Sequence, residues 1–129
     1  LHNARGHLVR AVVEGTCCHV RWLVEEGGVL AADQMWAAGG AAHSAFWMQL
    51  LADVLARDLH TPEIVEAGAL GGAVLAAVGA TWYPDRAAAA AAMVHAGPVY
   101  RSDATMRETY DGLYARWRMA EDLYAPAPQ

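Results

Sequence analysis

The chain has 129 residues, a formal net charge of −5 at pH 7 and a hydrophobic share of 56%. This length suits one domain, because a chain of this size can bury roughly two thirds of its unfolded surface. The composition excludes intrinsic disorder, a collagen-like chain and a disulfide scaffold, and the acidic balance argues against a general nucleic-acid binder, which would need a basic face.

The first predicted element is a helix over residues 6–26, ended by two glycines. Its apolar residues recur at three- and four-residue steps, which predicts a stripe facing the core. The pairs Arg10 with Glu14 and Arg21 with Glu25 are each four residues apart and are placed on the opposite face. The predicted stripe consists of Val9, Val12, Val13, Val20, Leu23 and Val24.

A strand and a second helix are predicted next. The short apolar run over residues 33–38 is interpreted as a buried strand, closed by Gly39 and Gly40. Ser44 then caps a helix that runs to about Ala56. The apolar stripe of this helix consists of Phe46, Trp47, Leu50, Leu51, Val54 and Leu55, with Gln49, Asp53 and Arg57 pointing outward.

The middle of the chain is predicted as a short strand followed by a helix of small residues. The strand covers residues 58–60, and Thr61 with Pro62 is interpreted as the signal that ends it and begins the next helix. That helix covers residues 66–80. Its glycines lower helix propensity by roughly 1 kcal/mol each, so we expect them to allow close packing against another backbone. These glycines are Gly68, Gly71 and Gly72.

The last third is predicted as an alanine helix over residues 85–95, an extended segment over 98–100 and a final helix from about Ser102 or Asp103. One side of the final helix carries Met106, Tyr110, Leu113, Tyr114, Trp117 and Tyr124. Side chains at this spacing more often anchor a helix to the core than bind a ligand. The Pro-Ala-Pro end is expected to fray.

The order of these elements predicts a helix-rich α/β fold with few short strands. Sheets usually hold about four to six strands, and this sequence offers only two or three candidates. We therefore expect either a mostly helical protein or one whose remaining strands are absent. The chain begins at Leu1 without an initiator Met, and we expect it to be part of a longer protein.

The sequence signals for targeting and the two cysteines favour a cytoplasmic protein. No basic segment followed by an apolar run marks a secretory signal, and the weakly polar stretch over residues 67–83 is too short and glycine-rich for a membrane span. Cys17 and Cys18 are the only cysteines and, being adjacent, cannot form an unstrained disulfide with each other. With His19 they suggest a metal, but no fourth ligand has suitable spacing, so Cys18 is interpreted as a core residue.

The most informative stretch is the turn between the predicted strand and the Ser44-capped helix. Glycines let the backbone approach a ligand closely, and the start of a helix offers unpaired N–H groups and a positive dipole end. These features suit a phosphate or the sugar-phosphate part of a nucleotide. The stretch is neither a Walker A loop nor a Gly-x-Gly-x-x-Gly fingerprint, so a purely structural turn is the alternative.

The residues GGAAHSAFWMQLLADVL resemble the adenosine motif of the FGGY family of carbohydrate kinases, usually written GGGA-x-S-x-x-W-x-Q-x-x-A-D-V. The flanking segments agree in order and spacing. RGHLVRAVVEGTCCHVRWLVE resembles the family's long helix before the motif, and EAGALGGAVLAAVGATWYPD its small-residue helix after it. VYRSDATMRETYDGLYARW resembles the C-terminal helix of the xylulokinase-like branch, so the resemblance covers essentially the whole chain.

The resemblance implies that residues 1–129 form a partial actin-like (ribonuclease-H-like) ATPase domain, the C-terminal part of an ATP-dependent carbohydrate kinase. By position, Gly39, Gly40 and Ala41 would line the nucleotide phosphates, and Ser44 would lie near the adenine or ribose. Ala41 replaces the third glycine of the usual triplet, so its methyl group would crowd the nucleotide or oppose a positive φ.

Several motif residues also have a structural interpretation. His43 is expected either to meet phosphate or to be exposed to solvent. Trp47 is expected to pack in the core. Asp53 is expected to bond a neighbouring backbone or to pair with Arg57, and it receives no catalytic role.

The resemblance further implies ATP and Mg²⁺ as cofactors and a sugar as substrate. The family's phosphate loops, sugar site and catalytic aspartate precede the region resembled here, so no catalytic residue or metal ligand is assigned in this chain. Phosphoryl transfer needs positioning, a Mg²⁺ clamp and a base, and we expect the chain alone to be inactive. The alternative is a non-catalytic helical remnant that self-associates. A homo-oligomer is left open, and neither nucleic acid nor membrane is expected as a partner.

Overall fold

The computed structural model describes residues 4–28 and 31–124. The Pro-Ala-Pro end, for which fraying is predicted, lies outside these residues. The helices are α1 Arg5–Glu26, α2 Ala45–Leu55, α3 Ala67–Gly79, α4 Arg86–Met93 and α5 Arg107–Tyr124. The strands are β1 Met35–Trp36, β2 Leu59–Pro62 and β3 Ala96–Tyr100, and short 3₁₀ turns cover Gly40–His43 and Ala104–Met106.

The chain divides into two compact units. The first takes its residues from Leu1–Asp33, Gln49–Arg57 and Arg101–Gln129, and the second from Gln34–Met48 and Asp58–Tyr100. The division falls within α2, whose first residues belong to the second unit and whose remainder belongs to the first.

The first unit contains α1, most of α2 and α5. The buried side of α1 consists of Val13, Cys17 and Cys18, which confirms Cys18 as a core residue. The predicted stripe is wrong for Val9, Val12 and Leu23, which are 63%, 69% and 51% exposed. The reason is that Arg21 and Glu25 do not point outward. They form hydrogen bonds with Asp111 and Tyr114 of α5. The side of α1 that carries Arg21 and Glu25 therefore faces α5 and not the solvent.

The aromatic side of α5 supplies core residues to the same unit. Tyr110 and Tyr114 are 3% and 8% exposed, so this part of the stripe anchors the helix as predicted. The side chain of Tyr124 lies outside the described residues. The Asp103 carboxylate accepts from the Thr105 backbone N–H at 2.9 Å and caps the 3₁₀ turn that leads into α5.

The second unit is built on a three-stranded sheet in the order β1-β2-β3. β1 runs parallel to β2, pairing Met35 with Leu59, while β3 is antiparallel to β2 and pairs Tyr100 with Leu59. The predicted strand over residues 33–38 is thus confirmed only as a two-residue strand, extended by a bond from the Ala37 N–H to the His60 carbonyl at 2.8 Å.

The second strand continues through Thr61 and Pro62, so the predicted helix signal at this pair is wrong. The Thr61 hydroxyl donates to the Pro98 carbonyl at 2.8 Å. Proline lacks an N–H and cannot donate a hydrogen bond to a neighbouring strand. The pairing of β2 with β3 is irregular between His60 and Pro62, and a strand tolerates proline at such an irregularity. Pairing with β3, rather than local sequence, determines the structure of these two residues.

The helices α3 and α4 complete the second unit. α3 begins and ends within one residue of the prediction and buries Val74 and Ala77. Its glycines Gly68, Gly71 and Gly72 are exposed, and an added Cβ would meet no described heavy atom within 4 Å. The close backbone packing predicted for these glycines is therefore absent from the described part of the chain.

The capping of α4 explains where this helix begins. The Asp85 carboxylate accepts from the Ala88 N–H at 2.8 Å, as an N-cap residue does. α4 ends at Met93, two residues before the predicted end, because the chain enters β3 at Ala96. Across residues 4–28 and 31–124, no helix combines the length and apolar character that crossing a bilayer would require.

Candidate functional site

The turn over residues 39–44, hereafter the glycine turn, joins the end of β1 to the start of α2. Gly39 has φ 95° and ψ −172°, a backbone conformation in which any residue other than glycine is strained. Its N–H donates to the Val65 carbonyl at 2.7 Å. The first glycine of the motif is therefore required by the backbone path of the turn.

The rest of the glycine turn is one 3₁₀ turn followed by a helix cap. The Ala42 N–H donates to the Gly39 carbonyl at 2.9 Å, and the Ser44 N–H donates to the Ala41 carbonyl at 3.0 Å. The Ser44 hydroxyl accepts from the Trp47 N–H at 3.3 Å. This contact confirms Ser44 as the cap of α2.

Gly40 and Ala41 lie at the start of the 3₁₀ turn. A Cβ built on Gly40 would meet no described atom within 4 Å, so the space beside this residue is open. The non-glycine residues with positive φ in the described chain are Ala56 and Thr81, so Ala41 adopts a conformation that alanine tolerates. The replacement of the third motif glycine therefore introduces no backbone strain.

His43 lies at the end of the 3₁₀ turn. Its Nε2 lies 3.1 Å from Oε1 of Glu66, and the two side chains are 62% and 58% exposed. The expectation of solvent exposure is confirmed. Sequence reasoning missed Glu66 as a partner, although an acidic residue at the start of the small-residue helix was visible.

The aromatic residues near the glycine turn are only partly buried. Phe46 is 52% exposed, and Trp47 is half-buried rather than a core residue as predicted. Trp36 stacks on His60 with 5.3 Å between ring centroids.

The motif residues Gln49 and Asp53, which belong to the first unit, have a structural role. The Gln49 side chain donates to Asp53 Oδ1 at 2.9 Å and to the Arg101 carbonyl at 2.7 Å. Asp53 Oδ1 also accepts from the Asp103 N–H at 2.8 Å. Both side chains are partly buried, not outward as predicted. Arg57 donates to the Ala32 carbonyl.

Arg21 is the centre of a charged cluster in the first unit. Its guanidinium contacts Glu25 at 2.9 Å, Asp111 at 2.7 Å and the Val54 carbonyl at 3.1 Å. The guanidinium carbon also lies 4.3 Å from the centroid of the Tyr114 ring. Because these partners lie on three helices, the cluster holds α1, α2 and α5 together.

The acidic members of this cluster have low pKa values. Burial would raise the pKa of Glu25, but hydrogen bonds from Tyr114 and Arg21 outweigh burial and lower the pKa below its usual range. The Tyr114 hydroxyl donates to Glu25 Oε2 at 2.6 Å. The hydrogen bond from Arg21 is the main cause that lowers the pKa of Asp111. Both carboxylates are thus held in the charged form.

The cysteines and His19 do not form a reactive centre. Cys17 and Cys18 are 0% and 1% exposed. Burial raises the pKa of the Cys18 thiol and so disfavours the thiolate that acts as nucleophile or ligand. The His19 ring lies 5.5 Å from that of Trp22 and 5.8 Å from that of Trp117. Residues 4–28 and 31–124 contain no cluster of three or more His, Cys, Asp or Glu suited to a metal ion.

The geometry defines a helix-rich α/β protein with an open glycine turn between a strand and a capped helix. The sequence model described as the FGGY family of carbohydrate kinases, C-terminal domain, matches residues 2–80. This span is more than half of the chain and includes the glycine turn. The chain belongs to the FGGY family of carbohydrate kinases.

Individual relatives agree with this assignment. The chain is 40% identical over 81 residues to an autoinducer-2 kinase of Enterobacter sp. (strain 638), covering 63% of this chain and 15% of that protein. It is 30% identical over 120 residues to the L-xylulose/3-keto-L-gulonate kinase of Escherichia coli (strain K12), covering 90% and 24%. This chain therefore spans about a quarter or less of the relatives it matches.

A solved structure supports the fold. The xylulose kinase of Rhodospirillum rubrum superposes with a TM-score of 0.76 and 30% identity, over 95% of this chain and 25% of that one. The prediction of a helix-rich α/β fold, part of an actin-like (ribonuclease-H-like) ATPase domain with few short strands, is confirmed.

Proposed function

We propose that the whole chain, residues 1–129, is the C-terminal, ATP-binding part of a cytoplasmic carbohydrate kinase. The complete enzyme would transfer the γ-phosphate of ATP to a hydroxyl of a sugar or polyol. The observation that carries the proposal is the open glycine turn within the span that matches the family. The relatives are named for different substrates, so the proposal stops at the class of sugar or polyol.

The residues of the glycine turn have distinct proposed roles. The conformation of Gly39 starts the turn, and the open space beside Gly40 leaves room for a phosphate. The first N–H groups of a helical turn lack acceptors within that turn, so those of Gly40 and Ala41 would donate to phosphate oxygens. The Ser44 oxygen accepts from Trp47, and its own proton is left to donate to the ribose or adenine.

The chemistry of transfer is proposed to depend on the remainder of the enzyme. ATP with Mg²⁺ would supply the phosphoryl group that is transferred. The described residues contain no carboxylate cluster for the metal, and none is proposed as its ligand. The sugar site and the base for the attacking hydroxyl are likewise placed elsewhere. We expect the chain alone to bind nucleotide weakly and to leave it unhydrolysed.

Calorimetric titration of the chain with ADP tests this proposal. Gly40→Val should abolish binding while preserving the thermal unfolding midpoint, because the added side chain enters open space that the nucleotide would occupy. Gly72→Val is the matched control, since Gly72 is also exposed and open but lies in α3. Equal ADP affinity in Gly40→Val and the unaltered chain would show that the glycines form only a turn.

The alternative function is self-association without catalysis. It is favoured by Leu8, Val9 and Val12, which lie close together on α1 and are 61%, 63% and 69% exposed. Sedimentation equilibrium distinguishes the two functions. A stable dimer that dissociates on Val12→Glu and does not respond to ADP would support self-association, whereas a monomer that binds ADP supports the kinase domain.

A further inference from the structure

The glycine turn is held at both ends by two consecutive residues that precede α3. At one end, the Gly39 N–H donates to the Val65 carbonyl at 2.7 Å. At the other end, Nε2 of His43 lies 3.1 Å from Oε1 of Glu66. The backbone contact fixes the beginning of the turn and the side-chain contact fixes its end, so both restraints come from one short segment.

That segment is itself well fixed within the second unit. The Val65 carbonyl accepts a second hydrogen bond, from the Ala67 N–H at 2.9 Å. The Glu66 carbonyl accepts from the Leu70 N–H at 3.0 Å, in the first turn of α3. Just before it, the Glu63 N–H donates to the His95 carbonyl at 2.9 Å. A contact to Val65 or Glu66 is therefore a contact to an ordered support.

The side chain of Glu66 serves the glycine turn rather than its own helix. Glu66 is the N-cap residue of α3 but makes no side-chain cap hydrogen bond. The N-cap residue of α4 behaves differently, because Asp85 accepts from the Ala88 N–H at 2.8 Å. The longer Glu66 side chain reaches His43 instead.

We propose that Glu66, acting through His43, is a positioning residue for nucleotide binding: it holds the end of the glycine turn in the orientation that presents Gly40, Ala41 and Ser44 to the ligand. This inference rests on the proposed function. Both side chains of the pair are more than half exposed, so solvent screens their attraction and the pair adds little to global stability. The pair instead keeps the turn ordered before the ligand binds. This raises affinity, because ordering a mobile loop on binding costs free energy.

Two measurements on the full chain test the proposal, with Glu66→Ala as the main variant. Heteronuclear ¹⁵N NOE values without nucleotide should fall at residues 40–44, and ADP affinity by calorimetry should fall about 3- to 5-fold. The unfolding midpoint should stay unchanged. Glu63→Ala is the matched control, since it removes an exposed carboxylate three residues earlier and should change neither measurement.

The sign of the affinity change separates positioning from simple charge. Removing a carboxylate near an anionic ligand strengthens binding if Glu66 acts only through its charge, whereas loss of positioning weakens binding. His43→Ala should reproduce the Glu66→Ala effect, and the double variant should be no worse than either single one. His43→Gln, which retains an N–H donor, should recover most of the affinity.

The outcomes for the inference and for the proposed function differ. If the unaltered chain binds ADP and Glu66→Ala binds it equally well or more tightly, the positioning role is overturned and the proposed function stands. Unchanged NOE values in Glu66→Ala also overturn the positioning role. If the unaltered chain does not bind ADP, the proposed function fails, and the nucleotide role of Glu66 fails with it.

Discussion

The carboxylate of Asp53 on α2 accepts a hydrogen bond from the backbone N–H of Asp103 at 2.8 Å, although the two residues are 50 positions apart. The same oxygen accepts from Gln49 at 2.9 Å, and Gln49 in turn donates to the Arg101 carbonyl at 2.7 Å. Two polar residues of the FGGY-like motif thus hold the segment that leads into α5. These contacts stabilise the fold of the first unit.

Replacement of Asp53 should destabilise the first unit. Asp53→Ala removes the acceptor of the exposed Asp103 N–H and should lower the free energy of unfolding by about 0.5–1.5 kcal/mol. Asp53→Asn keeps an acceptor oxygen and should cost less. Urea unfolding followed by circular dichroism measures both, with Glu121→Gln on the exposed side of α5 as control. Equal stability of Asp53→Ala and the unaltered chain would contradict the structural role.

Arg21 should not tolerate replacement by lysine. Its planar guanidinium bonds Glu25 and Asp111 at once and also lies over the Tyr114 ring, a geometry that an ammonium group cannot reproduce. Arg21→Lys should lower the free energy of unfolding by about 1–2 kcal/mol, and Arg21→Met by more, because methionine offers neither carboxylate a positive charge or a donor. The measurement is the urea midpoint. Arg21→Lys with an unchanged midpoint would contradict the need for a guanidinium group that bonds both carboxylates.

Stability should fall in acid because of Glu25. Its folded pKa is lowered, so the unfolded state takes up the proton first. The stabilisation is fully present above the usual glutamate pKa of about 4.3 and is lost as the pH falls through the lower folded value. Below the usual glutamate pKa, the thermal midpoint of Glu25→Gln should therefore decline less steeply with falling pH than that of the unaltered chain. Parallel declines in the two proteins would exclude the contribution.

Gly97 should be essential for the pairing of β2 with β3. A Cβ at this position would lie 2.9 Å from backbone atoms of Pro62 and Glu63, closer than real side chains approach. Because those atoms belong to the backbone, they cannot move aside cheaply, and Gly97→Ala should lower the free energy of unfolding by about 1–3 kcal/mol. Thermal unfolding measures the loss.

The matched control for Gly97 is Gly72 in α3. An added Cβ there meets no described atom within 4 Å, and alanine has the higher helix propensity. Gly72→Ala should therefore raise the free energy of unfolding by up to about 1 kcal/mol. If both alanine variants changed stability in the same direction, steric contact would not distinguish the two glycines.

The helix boundaries could be predicted from the sequence because their signals are local. Ser44 is followed by an apolar periodic run, and its hydroxyl contacts the N–H of Trp47 three residues later. The glycines that follow α1 and the acidic cap before α4 are equally local signals. A cap depends on a few neighbouring residues, which a sequence shows directly.

The errors arise where distant residues decide the structure. Arg21 looks like a solvent-facing residue until Asp111, 90 positions later, is known to pair with it. Pro62 looks like the start of a helix, but its pairing with Ala96 makes it part of a strand. The Glu66 contact to His43 depends in the same way on the path of the chain between them. Periodicity and capping rules contain none of this information.

The central claim, that the glycine turn binds nucleotide, is tested most directly by a ¹⁵N–¹H correlation spectrum of the chain titrated with ADP at millimolar concentrations. We expect shifts concentrated at residues 39–44, saturable, and absent in Gly40→Val. Shifts spread evenly over the chain, or unchanged by Gly40→Val, would contradict nucleotide binding at the turn.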